Sequence, residues 1–464
     1  MKNEDINPTN TPLQPLVKAF PLPGLDQPYQ ATYDLGAETY GKFFDHHPYA
    51  CLSQAPAWPK VKRNWQGYFP GILNAEGTQI LAASLVLIRS FPLGMRIMYV
   101  PGGPLLDFED KESLTAFLTL LRKMAKKYRV MAVRLQPAWT KRTFPLKEAV
   151  RTEGFDPQAL PSTPHTEQIL QTFADQGFHP EPYSPKLSST IQPRFQAILE
   201  AQGWTGKPKS KMKYQLKQCD RYGLYTQVGR KDELDAFCEC IASTEAEQNI
   251  SLRSKEYFAT ILAVFPDSLL LTAYLEPRKS IPLIHRQLDT LQGNLQRLPA
   301  SAPKKKEEIE GQINNVEATL AILEEVQKTL PDTCERTPVA SALLVPTGQV
   351  VEMPYAGSKV ALLKIPAVWQ VFWEAQKLTF EKLKAKKLNL GGVDGSFADG
   401  LSIYKAHFDP IIYENLGEFT YIRAPRRAKL FSFLMMVRLT ALGLKHRQEE
   451  TKKSFGVDDK SKNS

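Results

Sequence analysis

The stretch 340–392, ASALLVPTGQVVEMPYAGSKVALLKIPAVWQVFWEAQKLTFEKLKAKKLNLGG, decides the fold. ASALLVP (340–346) and QVVEMPY (349–355) read as two successive strands. AVWQVFWEAQKLTFEKLKAKK (367–387) has the spacing of a long amphipathic helix, and LNLGG (388–392) returns as a short strand. The order is strand, strand, helix, strand. The same order stands upstream. ILAASLVLI (80–88) and RIMYVPG (96–102) read as strands, KESLTAFLTLLRKMAKKY (111–128) as a helix, and VMAVRL (130–135) as a strand.

Between the two copies, GLYTQV (223–228) and SLLLTAYL (268–275) are strand-like, with helical stretches near 231–246 and 255–265. The stretch 278–332 is different. Leu288, Leu291, Leu295 and Leu298 follow a 3-4-3 spacing, and Ile309, Ile313, Val316, Leu320 and Leu323 a 4-3-4-3 spacing, with PASAPKKK between them. Two heptad seams joined by a short proline-containing turn predict an antiparallel helical (coiled-coil) hairpin. Such an arm inserts cheaply between two strands, because its ends lie together. The expected fold is α/β, or α+β: two GNAT-like acyltransferase domains with this arm inserted in the second. The expected boundaries are 29–165 for the first domain, 166–277 with 333–445 for the second, and 278–332 for the arm.

Composition bounds the function. A chain of 464 residues with 42% hydrophobic content is long enough for two cores. No run of 18 apolar residues occurs, so no membrane-spanning helix is expected. The first residues, MKNEDINPTNTPLQPLVKAF, hold acids and prolines where a signal peptide needs a basic and then an apolar run. Residues 1–28 are therefore expected to be a mobile leader, 446–464 a disordered tail, and the chain cytoplasmic. Cys51, Cys219, Cys238, Cys240 and Cys334 lack CxxC spacing and the seven histidines form no HExxH pattern, so no metal site is expected. The net charge of +10 suits an anionic partner, and equally a plain solvated face.

Four stretches resemble signatures of the FemABX family of peptidoglycan bridge-forming aminoacyltransferases. CLSQAPAWPKVKRNW (51–65) is similar to its Q-x-x-x-W-x-x-V-K segment through Gln54, Trp58, Val61 and Lys62. MYVPGGPLLDF (98–108) is similar to its Pro-Arg-Gly-Pro turn, with Gly102 where Arg is common. KPKSKMKYQLKQCDRYGL (207–224) resembles its basic R-x-x-I-x-x-A-x-x-x-G segment, with Lys213, Leu216, Cys219 and Gly223 at the key places. VVEMPYAGS (350–358) with LNLGGVDGSFADGLSIYKAHFDPIIYENLGEF (388–419) looks like the Y-x-G-S, G-G-x-x-G and G-L-x-x-F-K-x-x-F-G run. Here Tyr404 replaces Phe and Asp409 replaces Gly. The resemblance covers about residues 40–430.

The resemblance implies transfer of Gly, Ala or Ser from aminoacyl-tRNA to the stem-peptide amine of a lipid II or UDP-MurNAc-pentapeptide type precursor, in cell-wall synthesis. No separate cofactor is implied, the aminoacyl-tRNA being a co-substrate. Ester aminolysis is downhill, so positioning matters most. An amine of pKa near ~10.4 must first lose a proton. The oxyanion that develops needs a preorganised cation. Lys405, at the lysine of the F-K motif, is the expected catalytic cation, with Tyr404 packing against substrate. Asp107 is a candidate base that also suits a turn or helix cap. Lys62, Lys211 and Lys213 are expected to grip the precursor's diphosphate, with Trp65 or Tyr355 on its sugar or peptide. Lys211 and Lys213 also fit a solvated basic loop, and Trp58 fits the core. For tRNA, RKMAKKYR (122–129), KLKAKK (382–387) and RAPRRAKLF (423–431) are candidate basic surfaces. The inner membrane face and homologous transferases are further implied partners.

Two alternatives compete. A CoA-dependent N-acetyltransferase would carry a [QR]-x-x-G-x-[GA] loop, which is not found. A non-catalytic tRNA-binding or scaffold protein would need only the helical arm. The amino acid transferred, the bridge position, the acceptor form and the general base stay open at this point.

Overall fold

The two strand–strand–helix–strand copies form the centres of two sheets. In the second copy, Thr337–Thr347 and Val350–Ser358 pair antiparallel, helix Ala367–Lys377 crosses over, and Lys387–Val393 returns parallel to Val350–Ser358. In the first, Val86–Phe91 and Met95–Val100 pair antiparallel, helix Lys111–Lys127 crosses over, and Ala132–Leu135 returns parallel to Met95–Val100. A parallel return requires a crossover, which the amphipathic helices supply. The structure, a computed structural model, describes residues 18–24, 28–187, 191–248, 252–299, 302–330 and 335–434. Among these residues the architecture is mixed α/β, as the sequence leads one to expect.

The larger sheet has eight strands in the order Thr140–Pro145, Ile411–Asn415, Phe195–Glu200, Lys387–Val393, Val350–Ser358, Thr337–Thr347, Leu269–Leu275 and Tyr225–Gly229. A six-stranded sheet runs His179–Pro180, Phe419–Ile422, Ala132–Leu135, Met95–Val100, Val86–Phe91 and Gln66–Tyr68. The halves are laced together. Thr140–Pro145 belongs to the large sheet, while Phe419–Ile422, just after Ile411–Asn415, belongs to the six-stranded one. At the lacing, buried Glu414 receives Arg142 at 2.8 Å and faces Arg194 at 3.8 Å. Two guanidiniums around one carboxylate keep the buried charges paired.

The run 80–88, expected as one strand, is two. Ile80–Ala83 pairs in a five-stranded sheet and Val86–Phe91 in the six-stranded one, with a break at Ser84 and Leu85. Gln54 explains the break. Its fully buried side chain accepts from Leu85 N–H at 2.7 Å and donates to the carbonyls of Leu85 at 3.2 Å and Pro101 at 2.7 Å. Backbone groups that the ladder leaves unpaired are thus satisfied by one carboxamide. The expected helix 367–387 is also shorter: Ala367–Lys377 widens into a π-helical turn at Leu378–Lys382. Phe20–Leu22, inside the stretch expected as a leader, pairs as a strand with Tyr29–Thr32 and buries Leu22. Residues 1–17, the tail 446–464 and Cys334 lie outside the described residues.

The arm is a hairpin of helices Pro277–Gln296 and Pro303–Thr329. His285, midway along the first, lies 3.9 Å from Glu324, towards the end of the second, so the helices fold back on one another antiparallel. Of the expected seam, Ile309, Ile313, Val316 and Leu323 are buried, while Leu288, Leu291, Leu295, Leu298 and Leu320 are half-buried. The arm leaves and rejoins the sheet between neighbouring strands, where Leu275 pairs with Thr337.

Candidate functional site

The large sheet contains a split. Val350–Ser358 and Lys387–Val393 pair only over three residues, ending at Glu352 with Asn389. Beyond that point both strands continue, but each pairs only with its outer neighbour: Tyr355 with Leu343 on one side, Gly392 with Gln196 on the other. Side chains take up backbone groups in the gap between them: the Gly391 N–H donates to Asn389 Oδ1 at 2.9 Å, and the Gly392 carbonyl accepts from Lys405. Gly391 stands in the gap at φ +83°, a conformation L side chains avoid, and a Cβ there would lie 3.7 Å from Lys405 Nζ and 3.8 Å from the Met353 carbonyl. That spacing places Lys405 Nζ at the gap.

Lys405 ends the short helix Gly400–Lys405, whose N-cap Asp399 accepts from the N–H groups of Leu401 and Ser402. The side chain is 6% exposed and donates to the Gly392 carbonyl at 2.9 Å, its one hydrogen bond among the described residues. Among the described residues no carboxylate forms an ion pair with it. Burial, only partly opposed by the charge of Asp399, lowers its pKa to about 8. A lysine kept dry without an ion partner is rare in a merely structural role.

The neighbouring positions explain themselves. Tyr404 packs edge-on against Trp369, Phe372 and Phe408, and its hydroxyl is buried without a partner. Asp409 adopts the left-handed conformation (φ 56°), which is why a glycine suits that position. Its carboxylate instead binds Lys209 at 2.8 Å and Lys147 at 3.3 Å. Lys211 meets His407 Nε2 at 2.8 Å, so the basic segment reaches the loop that follows Lys405. Lys213 is exposed, with no contact to this loop given by the geometry. A cavity of about 320 Å³ between the segments is lined by Trp204, Lys207, Lys209, Met212, His407 and Asp409 among others.

Glu352 stands at the last pair before the split, opposite Asn389. A bulge sets Val345 opposite Glu352 and Leu343 opposite Tyr355, so Glu352 and Tyr355 share one face. That face meets the segment 51–62. Burial raises the pKa of the Glu352 carboxyl to about 7, the nearby Leu52 N–H and Asn389 side chain only partly opposing it. The residue is half-buried. Sequence reading missed Glu352. The signal was one acid inside the otherwise apolar run QVVEMPY.

Lys62 sits over the rings of Trp58 at 4.9 Å and Tyr257 at 5.7 Å, and Tyr257 packs edge-on to Tyr355. Burial, then the charge of Arg253, lowers the Lys62 pKa. Lys62 and Tyr355 are thereby brought together, while Trp58 is core, with Phe265 beside it. Trp65 lies against Tyr99, with Arg89 over its ring. Asp107 stands apart. It is exposed, and its carboxylate accepts from Glu109 N–H to hold the turn before helix Lys111–Lys127. Of the basic surfaces, 122–129 and 423–431 share one cavity of about 640 Å³, lined by Lys126, Arg129, Arg423, Arg426 and Arg427, whereas 382–387 does not line it. Among the described residues no helix is long and apolar enough to cross a membrane.

The sequence and the fold are similar to those of known proteins. The model of the FemAB family matches residues 35–435. The aminoacyltransferase FemB of Staphylococcus epidermidis is 22% identical over 221 residues, 46% of this chain and 50% of that protein. The chain thus spans about half the length of the FemB relatives it matches. A lipid II:glycine glycyltransferase of Staphylococcus haemolyticus is 23% identical over 408 residues, 83% of this chain and 91% of that protein. In fold, the crystal structure of FemX superposes with a TM-score of 0.65 at 20% identity, covering 86% of this chain and 99% of that one.

Proposed function

The chain belongs to the FemAB family, and we propose that it moves an amino acid (Gly, Ala or Ser) from aminoacyl-tRNA to the stem-peptide amine of a peptidoglycan precursor. The observation that carries this reading is Lys405, a dry lysine without an ion partner at the open split of the sheet. Relatives named as a lipid II:glycine glycyltransferase and as FemB support a lipid-II-type acceptor. The tRNA donor, a cytoplasmic location and the roles of the residues below belong to this proposal.

In the proposed step the acceptor amine, as the free base, attacks the ester carbonyl carbon of the aminoacyl-tRNA. A C–N bond forms, and the carbonyl oxygen becomes an oxyanion beside the Lys405 ammonium. That ammonium has one N–H on Gly392 and two others to offer. Glu352, with a pKa near neutrality, takes the proton that the attacking nitrogen sheds. Collapse of the intermediate breaks the C–O bond, and the released ribose oxygen is protonated. Lys62 and Tyr355 line the face beside Glu352 and suit the precursor, while Lys211, at the loop after Lys405, suits its diphosphate. Glu352 replaces Asp107 as the base in this scheme, because Asp107 is engaged in a turn away from the split.

The deciding experiment is a transfer assay with charged tRNAs bearing labelled Gly, Ala or Ser and with lipid II or UDP-MurNAc-pentapeptide as acceptor. Label on the precursor, with one amino acid preferred and Lys405→Met inactive, is the expected result. No transfer from any charged tRNA to either acceptor overturns the reading in favour of a binding protein.

A further inference from the structure

Three segments far apart in sequence form one face. The turn between Val86–Phe91 and Met95–Val100 carries Leu93 at its tip. The end of helix Lys111–Lys127 contributes Lys126 and Arg129. A helix over 425–434 lies beside both. Phe431 packs on Phe91 at 4.8 Å, and Arg423 donates through Nε to the Val130 carbonyl at 2.5 Å, which fixes the helix start against the sheet. The stretches 86–97, 122–132 and 423–434 contain no Asp or Glu, so the face is purely cationic in its own residues. Lys126, Arg129, Arg426 and Arg427 converge on the cavity of about 640 Å³.

Large apolar side chains stand out from the same face. Leu93 is 77% exposed, Phe433 56%, Leu430 48% and Leu434 37%. Leu430, Phe433 and Leu434 are spaced i, i+3, i+4 and so share one side of the helix, with Arg426 and Arg427 one turn before them. Leu93 also holds a left-handed backbone (φ 61°), a strained state for leucine, in order to sit at the tip. Cations alone would suit an RNA backbone. Exposed leucine and phenylalanine gain nothing from a phosphate that faces water, yet both groups are accommodated at a bilayer surface. There guanidiniums meet lipid phosphates, and apolar side chains enter the boundary with the acyl chains.

We propose that this face docks the protein on an anionic lipid bilayer, with the Lys126, Arg129, Arg426 and Arg427 cations on headgroup phosphates and Leu93, Leu430, Phe433 and Leu434 in the interfacial layer. The inference needs no transfer chemistry and stands apart from the reaction proposed above.

The test is flotation of the full chain with phosphatidylcholine vesicles, with and without phosphatidylglycerol. Binding is expected only with the anionic lipid, weakening as salt rises. The triple variant Lys126→Glu, Arg426→Glu, Arg427→Glu should lower the bound fraction at least about tenfold, because these side chains are the phosphate contacts. Leu93→Ser with Phe433→Ser should bind at low salt and detach near physiological salt. Circular dichroism and the thermal unfolding midpoint report whether each variant is folded. Equal binding to both vesicle types, wild-type binding by the triple variant, or a triple variant that loses tRNA but keeps vesicles overturns the proposal. Transfer that fails while vesicle binding persists would overturn the reaction and leave this docking face intact.

Discussion

Lys405 Nζ lies 2.9 Å from the Gly392 carbonyl, on a strand that has already parted from its parallel neighbour. A cation placed where two strands separate has no ladder partner and no carboxylate, so its remaining donors face the gap.

Lys405→Met should therefore lower the transfer rate by about 10²–10³-fold, the usual effect of removing one oxyanion donor. It should also raise the melting temperature at pH 7. The folded pKa, about 8, is depressed below that of the unfolded lysine. The stability this group contributes is present above the unfolded pKa and lost as pH falls through about 8. At neutral pH the native state thus holds a charge it disfavours. Thermal melts across pH 7 to 10 check this, and a lower melting temperature for the variant would show the lysine to be structural.

The rate should follow a bell-shaped pH profile, rising through about 7 as Glu352 ionises and falling through about 8 as Lys405 loses its proton. Glu352→Gln keeps the size and a polar end but cannot take a proton. It should remove the acidic limb and slow transfer by about 10²-fold or more. Because the folded pKa is raised, the stability of this group is present below the unfolded value and lost as pH rises through about 7. Glu352→Gln should flatten that loss in denaturant titrations. An unchanged acidic limb would assign the proton to another group.

Asp409 invites a paired comparison. Asp409→Gly relieves the left-handed backbone while losing the half-exposed contacts to Lys147 and Lys209, and should be close to neutral. Asp409→Ala loses the same contacts and keeps the strain, so it should be less stable than the glycine variant by about 1 kcal/mol. Urea midpoints of the two variants decide it.

Glu414→Ala should cost about 3–5 kcal/mol, since it leaves the Arg142 and Arg194 guanidiniums buried without their carboxylate. Equilibrium unfolding measures this. A loss below about 1 kcal/mol would mean that water replaces the carboxylate at the lacing of the sheets.

Much of this protein was legible in one dimension. The strand–strand–helix–strand order and the helical arm rest on local signals, namely periodicity and turn residues read within a few residues of one another, whereas Lys405 is singled out by its place in a stretch that resembles a family motif. Gln54 shows the limit. Its place in the opening motif was visible, but its task, satisfying the broken ladder at Leu85 and the carbonyl of Pro101, joins positions some thirty and fifty apart.

The sequence by itself determined the element order and the mixed α/β class, because hydrophobic period and backbone preference act locally. Only the tertiary structure decided where the large sheet splits, which acid stands at the last pair before the split, and which basic segments share a face. Glu352 became a candidate base through burial and through contact with Leu52 and Asn389, partners set by long-range strand register. Residues 122–129 and 423–431 likewise met through packing at Phe91 and Val130. Desolvation and charge proximity depend on distances in space, and a chain folded through non-local pairings does not write those distances in its order of residues.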